Sequence, residues 1–274
     1  NHALTAVSTG GFGTENASAG ASPFGTGSKI WLIVFMILGA LSFPFYLTLM
    51  KKKWQDVTSK FEEVFWFLGL VTVVSLILVG QHFLGGLEVA PVDIVFNLVS
   101  AATSTGYVSS DLNQWSRLGT GLLLILVMIG GCSGSTAGGL KVSRIIFWAR
   151  FLKVGLHRTF RPRLVESVRL NGRKVGGDSV EQLFLVISIF GFFLMSGTFA
   201  LQLLEGGQSL MASISTIFSC LGNFGPALAE MGSQESFAEL GTPTRIMLAT
   251  FMILGRLEYV ALLVLFSGQL WKRY

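Results

Sequence analysis

Charge is scarce in this chain. Only 13% of its 274 residues are Asp, Glu, Lys or Arg, about half the share of an ordinary soluble domain. With 51% hydrophobic residues and a mean hydropathy of +0.64, the composition belongs to a membrane protein rather than a soluble one. Cysteine is nearly missing as well. Cys132 and Cys220 fall in apolar stretches without metal-ligand spacing, which argues against a metal site or a disulfide framework and leaves both as small packing residues. The three histidines, His2, His82 and His157, are scattered, and without a clustered Ser/His/Asp set no enzyme and no organic cofactor are expected. The net charge of +5 does not imply a nucleic-acid partner, because 16 of the 20 Lys and Arg residues lie in three segments, 51–60, 141–174 and 272–273. Positive-inside bias places those segments in the cytoplasm.

Glycine is plentiful, at 33 residues, and its placement is the informative feature. Residues 100–108, SAATSTGYV, form a small polar loop after a short apolar stretch, 91–98, of about two helical turns. That is far short of the roughly 20 residues a spanning helix needs, so the element reads as re-entrant. Non-helical backbone survives at membrane depth only where protein buries it or where it lines a water-filled path. A lined path is the simpler reading, since carbonyls of Thr-x-Gly-Tyr loops replace a cation's hydration shell in channels.

The same grammar recurs along the chain. Residues 3–14 contain STGGF, and residues 220–226 read CLGNFGP after a short amphipathic stretch, 208–219. Between the loops run apolar spans: 30–50, which Pro44 is expected to kink and Lys51, Lys52 and Lys53 follow; 61–84, with Glu62 and Glu63 in its first turn; 180–204; and 246–270, closed by Trp271, Lys272 and Arg273. A further span starts at Leu118 but fails after Met128 in the run GGCSGSTAGG, 130–139. Each Gly there costs a helix about 1 kcal/mol against Ala, so this helix must break, resuming at Leu140. The expected fold is an all-α polytopic membrane protein of repeated span, pore-helix, loop and span units around a pseudo-fourfold axis. Residues 1–50 are the end of one pore repeat, 51–156 a complete repeat with a broken inner helix, 157–179 a basic cytoplasmic linker and 180–274 another complete repeat. Three loops imply a fourth upstream, so the chain reads as a piece of a longer protein.

Aligning the loops places Thr9, Gly10 and Gly11 beside Ser104, Thr105 and Gly106 and beside Asn223, Phe224 and Gly225 as candidate cation ligands through their carbonyls. Arg256 lies near mid-membrane, where a charge costs roughly 2.5–3.5 kcal/mol, and is expected to face the cavity under these loops. Glu258, about 200° further round that helix, is expected to pair with another span, Lys141 being one candidate. Outer carboxylates (Glu15, Glu88, Asp93, Asp111, Glu205, Glu230, Glu235, Glu239) exceed Lys29, Arg117 and Arg245 and are candidates to concentrate cations at the entrance.

The strings GGCSGSTAGGLKVSR at 130–144, STGGF at 8–12, STGY at 104–107, GNFGP at 222–226 and LGRLE at 254–258 resemble the TrkH branch of the Trk/Ktr/HKT superfamily of K+ transporters, over essentially the whole chain. The resemblance implies uptake of K+, bound at the nine loop residues, in a multi-pass protein of the cell's inner (plasma) membrane. It further implies a homodimer embedded in lipid and a cytosolic ring of nucleotide-binding regulatory subunits of the TrkA type; the basic stretch 158–174 is a candidate to dock such a subunit or to touch anionic lipid, or is a solvated inner loop that follows the positive-inside bias. It makes the broken helix a gate of Gly134, Ser135, Thr136, Gly138, Gly139 and Lys141, which Arg256, by its own mid-membrane placement, is expected to contact. An alternative within the superfamily is a Na+-permeable transporter, or one coupling K+ to Na+ or H+.

Overall fold

Apolar runs bounded by caps produce a helical chain. In order these are α1 (His2–Val7), α2 (Thr26–Ala40), α3 (Phe43–Met50), α4 (Glu62–Phe83), α5 (Pro91–Ala102), α6 (Arg117–Ile129), α7 (Val142–Phe160), α8 (Gly177–Leu204), α9 (Leu210–Gly222) and α10 (Thr242–Arg256). A two-residue antiparallel hairpin, β1 (Arg169–Leu170) with β2 (Arg173–Lys174), interrupts the basic segment between α7 and α8. The computed structural model describes residues 1–14, 18–20, 24–51, 57, 60–160, 169–171, 173–174, 177–227, 237 and 240–257. The C-terminal half of the expected last span, the anchor at 271–273, Glu258, Lys52, Lys53, Glu15, Glu230, Glu235, Glu239 and most of the expected docking stretch lie outside them.

Among the described residues two helices, α4 and the 180–204 part of α8, are long and apolar enough to cross a membrane, or three if the bent pair α2–α3 counts as one. Their outward faces carry Trp31, Leu76, Phe192, Met195 and Phe199, all exposed, as a lipid-facing surface demands. The short helices lie inside this wall. α5 packs against α2, α4 and α6, and α9 against α6, α8 and α10, so each is enclosed on several sides. Ile94, Phe96 and Leu98 of α5 and Ile217 and Leu221 of α9 are fully buried. Local chemistry fixes where these helices begin: Ser116 and Ser209 hydroxyls accept N–H bonds from Gly119 and Ala212 at 3.1 and 3.2 Å, capping α6 and α9, while Pro91 opens α5 where its missing N–H costs nothing.

Two boundaries differ from expectation. α5 runs through Ser100 to Ala102, three turns rather than two, because small Ser and Ala residues fit a crowded buried helix. Residues 30–50 are not one kinked span; α2 and α3 meet at a 94° bend. Pro44 has no N–H to offer the Ala40 carbonyl four residues back. That carbonyl instead accepts the Cys132 N–H at 3.0 Å, and the Phe43 N–H goes to Gly134 O at 3.0 Å.

Several outer carboxylates serve the fold. Asp93 in the first turn of α5 pairs with Lys29 of α2 at 2.5 Å, and Asp111 accepts the Asn113 N–H at 2.9 Å. Glu205 accepts from the Gly241 N–H and the Thr244 hydroxyl, both at 2.8 Å, which fixes the start of α10 and holds the carboxyl below the usual carboxylate range.

Candidate functional site

Three short helices, α1, α5 and α9, end in one backbone motif. Just past each helix a residue adopts a left-handed conformation: Thr9 (φ 49°), Ser104 (φ 51°) and Asn223 (φ 54°). Their N–H groups bond carbonyls three residues back, Ala6, Ala101 and Cys220, at 3.1–3.2 Å. The next N–H groups, of Gly10, Thr105 and Phe224, bond carbonyls five back, Thr5, Ser100 and Ser219, at 2.8, 2.9 and 3.0 Å. This is a Schellman cap repeated three times. It is followed each time by a glycine at positive φ: Gly11 (65°), Gly106 (91°) and Gly225 (102°). The backbone therefore turns out of the helix identically in three loops of different sequence.

These loops are also neighbours in space. A Cβ on Gly11 would stand 2.0 Å from the Thr105 carbonyl oxygen, and one on Gly106 would stand 2.1 Å from the Phe224 carbonyl oxygen. Each glycine thus nests on the middle residue of the following loop, always in the same sense, as members of a ring do. Among the described residues a Cβ on Gly225 would meet nothing within 4 Å, so the run of contacts is open at that end. Thr9, Ser104, Thr105 and Phe224 are buried. Among the described residues no donor reaches the carbonyl oxygens of Gly10, Gly11, Thr105, Gly106, Phe224 or Gly225. The Thr105 and Phe224 carbonyls belong to buried residues, where an unpaired carbonyl is rare, and convergent free ones are the chemistry that binds a desolvated cation. The negative ends of three helix dipoles add to it.

Beneath the loops the breaks in two inner helices are joined. Gly39, Ala40 and Gly134 carbonyls and Thr136, Cys132 and Phe43 amides knit residues 130–136 to the α2–α3 bend. The Thr136 hydroxyl lies 3.1 Å from Val7 O and 3.0 Å from Gly39 O, and the Thr9 hydroxyl donates to Thr136 O at 2.8 Å. The expected gate loop therefore touches the first of the three glycine loops directly. Glycine is required inside it: a Cβ on Gly130 would stand 2.1 Å from Gly138 O, and one on Gly138 would stand 2.3 Å from Gly222 O. Lys141, at φ 74° and buried, donates to Ala137 O.

The loop's outer anchor is a residue the sequence reading took for a helix-start charge. Glu63 is 3% exposed and accepts the Ser133 N–H at 3.3 Å; Ser133 and Ser143 hydroxyls are 2.5 Å apart. Its neighbour Glu62 pairs outward with Arg150. Two adjacent acids at a helix start, one of which must face inward, were the available signal. Arg256 ends α10 with an exposed side chain, and among the described residues no hydrogen bond or ion pair joins it to the gate loop. Its position is nevertheless close, because the preceding Gly255 would bring a Cβ within 2.2 Å of Leu221 O, at the same end of α9 that Gly138 abuts.

A family model described as "TrkH: Cation transport protein" matches residues 66–273. The chain belongs to the TrkH family. Among its TrkH-family relatives, the Trk system potassium uptake protein TrkH of Halomonas elongata is 32% identical over 99% of this chain and 56% of its own length. The protein of the same name from Escherichia coli K12 is 27% identical over 99% of this chain and 56% of its own length. The crystal structure of the potassium transporter TrkH from Vibrio parahaemolyticus superposes with a TM-score of 0.83 at 25% identity, over 98% of this chain and 57% of that one. The chain thus spans just over half the length of the curated TrkH relatives it matches. As a TrkH-family member with apolar spanning helices it is an integral protein of the inner (plasma) membrane.

Proposed function

We propose that this chain forms three of four filter loops in a pore that takes up K+. The observation that carries the reading is the one-directional nesting of Gly11 on Thr105 and Gly106 on Phe224, with unpaired carbonyls on all three loops. A fourth loop, supplied by the rest of a longer chain, would receive Gly225 and close the ring around a pseudo-fourfold axis. On this reading residues 1–50, 51–156 and 180–274 are pore repeats and 157–179 a cytoplasmic linker. K+ is the cargo. It sheds water onto the carbonyls of Thr9, Gly10, Gly11, Ser104, Thr105, Gly106, Asn223, Phe224 and Gly225, which needs no side-chain charge.

Residues 134–139 with Lys141 obstruct the path below the filter and move aside to open it, and Arg256, at the level of that loop, discourages cations from resting there. The names of the relatives, potassium uptake proteins, support K+ as the cargo. A homodimer in lipid, docked on a nucleotide-binding TrkA-type subunit through the basic cytoplasmic face, completes the reading.

The test is tracer flux with the full-length protein in proteoliposomes. A K+ or Rb+ gradient is expected to drive uptake when Na+ and a pH gradient are both absent. Uptake that requires Na+ or a proton gradient would replace the passive pore with a coupled transporter.

A further inference from the structure

Tyr107 is fully buried, and its hydroxyl spans the seam between two filter loops. It lies 2.5 Å from Thr5 Oγ1 and donates toward Phe12 O at 3.0 Å and His2 O at 3.3 Å. These groups flank the first loop's ligand triplet on both sides: Thr5 precedes it and Phe12 follows Gly11. Thr5 is also the residue whose carbonyl anchors the first Schellman turn, through Gly10 N–H at 2.8 Å. The tyrosine therefore pins the second loop to the frame of the first.

The other seams differ. Ser100 and Ser219 occupy the position of Thr5 in their own turns, and each brings a buried hydroxyl, but neither hydroxyl has a hydrogen-bond partner among the described residues. The position of Tyr107 is filled by Phe12 in the first loop and Pro226 in the third, neither of which carries a hydroxyl. One seam is braced while its neighbour has an acceptor-donor group in waiting and proline where the brace would be.

Resting on the pore reading above, we propose that the Tyr107 hydroxyl, through Thr5, is a positioning device that sets K+ over Na+ discrimination: it holds the first two loops at the separation a dehydrated K+ fills. Without it the carbonyls can close on the smaller Na+. The ring of Tyr107 keeps packing, so permeation itself persists.

The experiment uses the full-length protein in proteoliposomes and measures K+ and Na+ flux separately. Tyr107→Phe and Thr5→Val are each expected to lower the K+:Na+ flux ratio five- to tenfold while maximal K+ flux stays within threefold. The double variant should fall no further than Tyr107→Phe alone, because that variant already removes the contact to Thr5 together with those to Phe12 and His2. Ser100→Ala, which deletes an unpartnered hydroxyl, should leave the ratio within twofold. An unchanged ratio in Thr5→Val and Tyr107→Phe overturns the proposal, as does an equal fall in Ser100→Ala. If Tyr107→Phe does not reach the membrane, Thr5→Val alone decides. Gly106→Ala run in parallel separates the two readings: K+ flux that survives it defeats the pore itself, whereas lost flux there with an unchanged ratio in the brace variants defeats the brace alone.

Discussion

Gly106→Ala abolishes K+ uptake, at least about 100-fold in tracer flux, with the protein still present in the membrane. Two costs act together. At φ +91° the backbone sits where a side chain is strained by about 1–3 kcal/mol, and the new methyl would stand 2.1 Å from Phe224 O, less than van der Waals contact by more than an ångström. That neighbour is backbone in a buried loop and cannot swing aside like a flexible side chain. The third loop must shift, and a 100-fold loss needs only about 2.7 kcal/mol. Gly11→Ala, with its Cβ 2.0 Å from Thr105 O, should match it. Gly80→Ala, inside α4 with nothing within 4 Å, is the control and should leave flux unaltered.

Glu63→Ala works in the opposite direction and raises resting K+ flux about tenfold or more. The Glu63 side chain holds the gate loop at Ser133. Deleting it leaves the half-buried Ser133 amide without this acceptor in the closed arrangement, a penalty of about 1–3 kcal/mol that an open loop, hydrated by the pore, escapes. A ligand or contact shifts a two-state equilibrium only by its differential interaction with the two states, and here the difference favours closure. Glu63→Gln keeps an acceptor for the Ser133 N–H and should raise flux by threefold at most. Resting flux that falls, or does not change, in Glu63→Ala would mean that residues 130–139 do not obstruct the path.

The parts of this molecule visible in its sequence were those that composition writes locally. Glycine-rich interruptions of apolar runs marked all three loops and the break at Gly130, because helix cost per glycine is a local quantity. The length shortfall of the stretch before Ser100 marked a re-entrant helix. What stayed hidden depended on partners far along the chain. Pro44 announced a kink, but the 94° bend follows from an Ala40 carbonyl finding Cys132 some ninety residues on. Tyr107 looked like loop composition until Thr5 stood 2.5 Å away. Glu63 looked like an ordinary charge at a helix N-terminus, since nothing local says which of two adjacent acids faces inward. Left-handed Thr9 is the least legible of all: a β-branched residue there is disfavoured, and it is held by the Thr136 carbonyl that its hydroxyl reaches at 2.8 Å.

The central claim is that free carbonyls of dissimilar loops jointly replace a cation's water. Anomalous scattering from crystals of the full-length protein grown in Rb+ tests it most directly. The account predicts an anomalous peak enclosed by the Gly10, Thr105 and Phe224 carbonyls and their fourth-loop counterpart, vanishing when Rb+ is exchanged for Li+. Rb+ bound only elsewhere, with nothing between those three carbonyls, would contradict it.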